Sequence, residues 1–170
     1  DIACNDGTFL EYFKKKKFKN VVGVEPAKNL RALNLKKKID INTNFFSKKF
    51  SDKMKSKYIG FDLITANNVF AHSPHLYDFS QGVKNLLSSK GVFVLEVSYL
   101  GTVLKKKTFD TIYHEHMSYH GLKPLIQFFN SQNLQIFDFE LIEAQGGSIR
   151  IYVSHKNSFK VKKNKIYNQI

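Results

Sequence analysis

Two stretches decide the fold: Asp1-Ile2-Ala3-Cys4-Asn5-Asp6-Gly7, and after it Val21-Val22-Gly23-Val24-Glu25. The first reads as the end of a β-strand and the turn that follows. The second is a short β-branched run, stopped by Pro26. Between them, residues 8–18 put Phe9, Leu10, Phe13 and Phe18 near one helical face and Lys14 to Lys17 on the others. A strand needs residues before its end, so the chain is expected to be an incomplete piece of something longer.

Working outward, the alternation continues. Residues 27–38 are expected to be helical, with Leu30, Leu33 and Leu35 apolar, and 39–43 form a short strand. Residues 47–57 form a helix or an irregular connection, and 61–66 a buried strand. Residues 75–88 form a helix broken by Gly91, and 92–97 (Val-Phe-Val-Leu-Glu-Val) are the most strand-like run. Such alternation with short connections is the pattern of a parallel sheet covered by helices on both faces. The pattern changes after Val97: an irregular stretch to Gly121, a helix over 122–131, then strands over 134–142 and 148–153. The spacing of these last two suits an antiparallel pair at the sheet edge. The expected fold class is α/β and Rossmann-like, with a mostly parallel seven-stranded sheet over residues 1–154. Residues 155–170 carry five lysines and no acid, and read as a basic tail or the start of a further C-terminal region.

The 170 residues include 16 Phe and 8 Tyr in a 42% hydrophobic chain, enough to fill a core and to exclude disorder. One cysteine excludes a disulfide framework and any zinc site built from several thiolates. No apolar run approaches the ~18 residues of a membrane span, and no signal peptide is visible. A reducing, cytoplasmic setting without membrane partners is the expectation. The net charge of +13 suits nucleic acid, an anionic small molecule, or simply a lysine-rich composition.

A parallel sheet binds its ligand beyond the carboxyl ends of its strands, where both the first loop and Glu25 fall. An acidic side chain there accepts the two hydroxyls of a ribose, which implies an adenosine-bearing cofactor. A dinucleotide needs several glycines, because its pyrophosphate must touch the backbone. Here Ala3 and Asn5 fill two of those places and only Gly7 remains. S-adenosylmethionine has no phosphate, and its carboxylate can sit at a helix N-terminus, so the loop favours it over NAD.

Four blocks then coincide: residues 1–10 (DIACNDGTFL), Gly23-Val24-Glu25-Pro26, residues 65–72 (TANNVFAH) and residues 108–119 (TFDTIYHEHMSY). Together with Gly146-Gly147-Ser148-Ile149-Arg150, they resemble the S-adenosylmethionine-dependent sugar C-methyltransferases, a class I methyltransferase family. The resemblance covers nearly the whole chain, and the segment from Asp110 to Tyr119 is its specific part. It implies the central catalytic region of an enzyme whose zinc-binding N-terminal region, and a further C-terminal region, lie outside this chain. Ala3 departs from the glycine usual at its place. By the same resemblance Asp1, Ala3, Asn5 and Gly7 surround the methionine end of the cofactor, and Glu25 with Pro26 holds its ribose. Asn67 and Asn68 line the same cleft, and Phe45 and Phe46 are placed to flank the adenine.

Tyr113-His114-Glu115-His116 is the densest set of proton-transfer groups in the chain. Methylating carbon needs a carbanion equivalent, so a base must remove a proton beside a carbonyl and a donor must meet the enolate oxygen. The resemblance makes His116 that base and gives Glu115 an orienting or sugar-contacting role. Tyr113 and His72 supply hydrogen bonds to a nucleotide-linked keto-deoxysugar. His116 and His120 share helical spacing, but the segment lacks the His-Glu-x-x-His pattern of zinc proteases, so no metal is expected. Two alternatives stand beside this reading. One is methylation of RNA, or of oxygen or nitrogen in a small molecule; the lysines are too dispersed to favour nucleic acid. The other is a cofactor-binding scaffold or inactive fragment. Arg150 is noted only as available to an anion.

Overall fold

A computed structural model describes residues 1–167 and Gln169. The elements are α1 (Thr8–Lys15), β1 (Val22–Val24), α2 (Arg31–Lys36), β2 (Asp40–Asn42), α3 (Lys48–Lys55) and β3 (Phe61–Asn67). They continue with α4 (Leu76–Leu86), β4 (Leu87–Ser98), α5 (Leu100–Lys106), α6 (Leu122–Ser131), β5 (Leu134–Ile142), β6 (Ser148–His155) and α7 (Lys163–Tyr167).

The sheet runs β2-β1-Ile2-β3-β4-β6-β5. Ile2 makes parallel bridges to both Val24 and Ala66, so the first segment is the strand between β1 and β3. All pairings are parallel except those of β6, which lies antiparallel between β4 and β5. The expected edge hairpin is therefore present, with its second strand on the inside. Alternation explains why β4 and β6 sit centrally. Phe93, Leu95 and Val97 are buried and pair in register with the equally buried Val153, Ile151 and Ile149. Phe79 and Val83 of α4 and Phe129 of α6 belong to the same core, whereas Leu10 of α1 packs with Cys4 and Ile39 in a separate one.

The structure corrects three expectations. α4 ends at Leu86, not Ser88, and the chain turns at once into β4. Gly91 is not a helix stop: a Cβ there would lie 2.7 Å from the Phe61 carbonyl oxygen, at the register shift between β3 and β4. The stretch after Val97 contains α5. In α2 the buried position is Asn34, while Leu33 and Leu35 are exposed, so this helix is anchored by a polar group. In the basic C-terminal segment Lys162 and Lys165 pair with Asp138, and Ile166 is buried. No helix among the described residues is long and apolar enough to cross a membrane.

Candidate active site

The carboxyl ends of Ile2, β1 and β3 form one edge, and the first loop bends over it. Ala3, Asn5 and Gly7 all have positive φ (56°, 52° and 79°). That conformation suits glycine and asparagine, and costs an alanine roughly 1 kcal/mol. The turn aims the Asn5 N–H at Glu25 Oε2, 3.0 Å away, while Ala27 N–H donates to Oε1 at 2.9 Å. Glu25 is thus a buried carboxylate with each oxygen held by one backbone donor. A carboxylate offers about four acceptor positions, so two remain for a ligand.

The first N–H of α1 is already occupied. Thr8 N–H and its hydroxyl donate to Asp6, 3.0 and 2.8 Å away, and Lys37 donates to the same carboxylate at 3.0 Å. These donors, those of Thr8 first, hold the Asp6 pKa down at about 2. Beside this edge opens a largely apolar cleft of about 380 Å³, with Ala3, Pro26, Phe45, Phe46, Val69 and His72 in its walls. Phe46 is fixed by Phe79, ring centroids 5.1 Å apart, whereas Phe45 stands free in solvent.

A second, more polar cavity of about 490 Å³ adjoins it, walled by Asn68, His72, Thr108, Tyr113, His116 and Gln145. His72 lines both. Two backbone carbonyls set the chemistry of this cavity. Thr111 O lies 2.9 Å from His116 Nδ1, and Glu115 O lies 2.9 Å from His72 Nδ1. A carbonyl only accepts, so in each ring the proton sits on Nδ1 and Nε2 carries the basic lone pair. Tyr113 Oη donates to His116 Nε2 at 2.9 Å, with the two rings 4.2 Å apart. The His72 and His116 rings are 4.9 Å apart. The arrangement is a pair of oriented bases and a phenol facing one cavity.

The expected residues divide accordingly. Tyr113, His116, His72 and Asn68 converge on the polar cavity, and Ala3 and Pro26 on the apolar cleft. Glu25, Asn5 and Gly7 build the edge between strand ends. The Glu115 side chain is exposed; its contribution to the cavity is its carbonyl. Asp1 turns its carboxylate to the Thr65 hydroxyl at 2.6 Å and lies outside both cavities, as does Asn67. Arg150 is held by Glu96 through two bonds of 2.9 and 3.1 Å across the β4–β6 pair. Gln145, Gly146 and Gly147 have positive φ, and this turn brings Gln145 and Gly146 into the polar cavity wall.

Sequence reasoning missed Thr111, whose backbone does the work, and Thr108 and Gln145. It also missed Asn42, whose carbonyl accepts the Glu25 N–H. Asn42 Nδ2 is the one buried side-chain nitrogen or oxygen without a partner among the described residues. Also among the described residues, no cluster of three His, Cys, Asp or Glu side chains could hold a metal.

His120 is buried, with its ring against Phe70 and Ser118 Oγ 3.0 Å from Nε2. Burial first, then the nearby His116, lowers its pKa to about 4. The folded state therefore takes up this proton later than the unfolded chain does. The stabilisation is full above the unfolded pKa of about 6.5 and is lost as pH falls towards 4, an effect of roughly 3 kcal/mol. Thermal melts of His120→Gln should show a flatter dependence over that window than the parent. An equally steep decline in both would show that other groups govern acid lability.

A family model described as a methyltransferase domain matches residues 1–138. The chain is 32% identical over 154 residues to the C-methyltransferase NovU of Streptomyces niveus, covering 91% of this chain and 36% of that protein. It thus spans about a third of the length of that curated relative. Among solved structures it resembles an S-adenosylmethionine-dependent methyltransferase from Anabaena variabilis (TM-score 0.67, 16% identity, 92% of this chain and 76% of that one). It also resembles magnesium protoporphyrin IX methyltransferase from Synechocystis with bound S-adenosylhomocysteine (TM-score 0.66, 12% identity, 92% and 73%). These two likenesses bear on the fold.

Proposed function

This chain belongs to the methyltransferase-domain family, and we propose that it moves a methyl group from S-adenosylmethionine to the carbon beside the ketone of a nucleotide-linked keto-deoxysugar. The observation that carries the reading is the sharing of His72 by an apolar, adenosine-sized cleft and a cavity lined by His116 and Tyr113. The likeness to NovU, a C-methyltransferase, supports carbon as the acceptor.

The residues present fit the cofactor. Glu25 keeps lone pairs for the ribose hydroxyls, Phe45 and Phe46 lie where an adenine would pack, and the orphan donor of Asn42 stands at the same strand-end edge. The cofactor, when bound, supplies an electrophilic methyl group. Glu25→Gln leaves one of the two N–H donors short of its acceptor and removes the charge. Titration calorimetry should show S-adenosylmethionine binding weakened about tenfold; unchanged affinity would remove Glu25 from the ribose site.

In the cavity, His116 Nε2 takes the proton from the carbon beside the sugar ketone. Its Nδ1–H remains on Thr111 O, which stabilises the imidazolium as it forms. Tyr113, released from Nε2 as that nitrogen engages the substrate, donates to the oxygen that becomes the enolate. Neutral His72 has its one N–H committed to Glu115 O, so its Nε2 accepts from a sugar hydroxyl; it donates to the enolate only as imidazolium. Positioning the carbon along the line of the methyl group then supplies most of the remaining acceleration. The positive net charge favours capture of an anionic diphosphate.

The test is incubation of the full-length protein with labelled cofactor and, separately, a thymidine diphosphate keto-sugar, RNA and small oxygen or nitrogen acceptors. Label in the keto-sugar supports the reading, and label only in another acceptor overturns it.

A further inference from the structure

Asn34 is fully buried, on a helix whose leucines face solvent. Both ends of its amide are engaged. Nδ2 donates to the Asn5 carbonyl at 2.7 Å and to Leu30 O at 3.1 Å, while Oδ1 lies 3.7 Å from the Cys4 thiol. Two carbonyls on one side and a thiol on the other leave no ambiguity about which amide atom is nitrogen. Burial raises the Cys4 pKa to about 11, so the sulfur keeps the proton it donates. These contacts fall on the Cys4 side chain and on the Asn5 carbonyl, just before and just after the Cys4–Asn5 peptide, whose N–H is the donor to Glu25 Oε2. Gly7 closes over the same amide: a Cβ there would lie 2.3 Å from Asn34 Oδ1.

We propose that Asn34 is a positioning residue for the cofactor: it holds the Cys4 side chain and the Asn5 carbonyl, on either side of the peptide that joins them, and thereby sets Glu25 for the ribose hydroxyls. The inference rests on the reading of Glu25 as the ribose acceptor. Leucine repeats the branching of asparagine at Cγ but is larger and makes no hydrogen bonds, so Asn34→Leu removes the clamp while keeping the side chain's shape. A structural defect would weaken every cofactor analogue alike, whereas a clamp acting through Glu25 is felt only by ligands with ribose hydroxyls.

The experiment titrates S-adenosylhomocysteine and its 2′,3′-dideoxy analogue into the parent, Asn34→Leu, Glu25→Gln and Ile39→Val, the last perturbing the same small core without touching the clamp. Asn34→Leu should weaken S-adenosylhomocysteine about tenfold and the dideoxy analogue by no more than about twofold, as Glu25→Gln should. Ile39→Val should leave both within about twofold of the parent. Equal weakening of both ligands by Asn34→Leu, with Glu25→Gln still discriminating, overturns the role of Asn34 alone. Failure of Glu25→Gln to discriminate overturns the ribose reading and the clamp with it. Should Asn34→Leu not fold, Asn34→Ala, which leaves a void and no clash, is read by the same comparison.

Discussion

His116→Asn should lower methyl transfer by about 10³-fold and leave cofactor affinity within about twofold of the parent. Asparagine keeps an amide N–H to replace the Nδ1–H bond to Thr111 O, so the segment stays in place. What disappears is the basic lone pair of Nε2, the acceptor of the Tyr113 hydroxyl. His116 lines the polar cavity and not the apolar cleft, which separates the two readouts. Single-turnover rates and calorimetry on the same preparation check the prediction. Undiminished turnover would assign proton removal elsewhere, and His72, with the same tautomer and its ring 4.9 Å from that of His116, would be the next residue to test.

Gly7→Ala is the second large effect, and it falls on binding and stability together. The residue has φ +79°, and its added methyl would lie 2.3 Å from Asn34 Oδ1 and 2.6 Å from Ile39 Cδ1. Both neighbours are fully buried side chains with nowhere to move. The backbone penalty of about 1 kcal/mol and an overpacking cost of about 2 kcal/mol give a loss near 3 kcal/mol. That corresponds to a melting temperature lower by roughly 10 °C. Because the loop must shift to make room, the Asn5–Glu25 bond should be lost and cofactor binding should fall by more than tenfold. Gly146→Ala is the matched control: its φ is +78°, but nothing lies within 4 Å of the added methyl. It should cost only the backbone penalty of about 1 kcal/mol. Equal losses from the two substitutions would show that dihedral preference, and not the contact with Asn34, decides the effect.

The alternating β-branched and aromatic positions of β4 and the acidic end of β1 were legible because one residue's chemistry dictates its face or its partner. The helix of α2 was legible but its buried position was not, because Asn34 is held inside by hydrogen bonds invisible in a pattern of hydrophobicity. Gly91 was misread because a glycine after a helix and a glycine at a close approach of two paired strands look identical in sequence. In the cavity, the identities of Tyr113, His116 and His72 were readable and their tautomers were not. Those depend on the Thr111 and Glu115 carbonyls, and a backbone acceptor has no side chain to announce it. Glu115 illustrates the same limit, since its carboxylate was expected to orient a base and its carbonyl is what does so, for His72.

On the proposed function, a methyl group is delivered to carbon at the cavity where His72, Tyr113 and His116 meet. Carbon NMR of the product formed from ¹³C-methyl-labelled S-adenosylmethionine and a keto-sugar labelled at the carbon beside its ketone tests it most directly. Direct carbon–carbon coupling between the two labels is the predicted result. A labelled methyl bound to oxygen or nitrogen, with no such coupling, would rule out carbon as the acceptor.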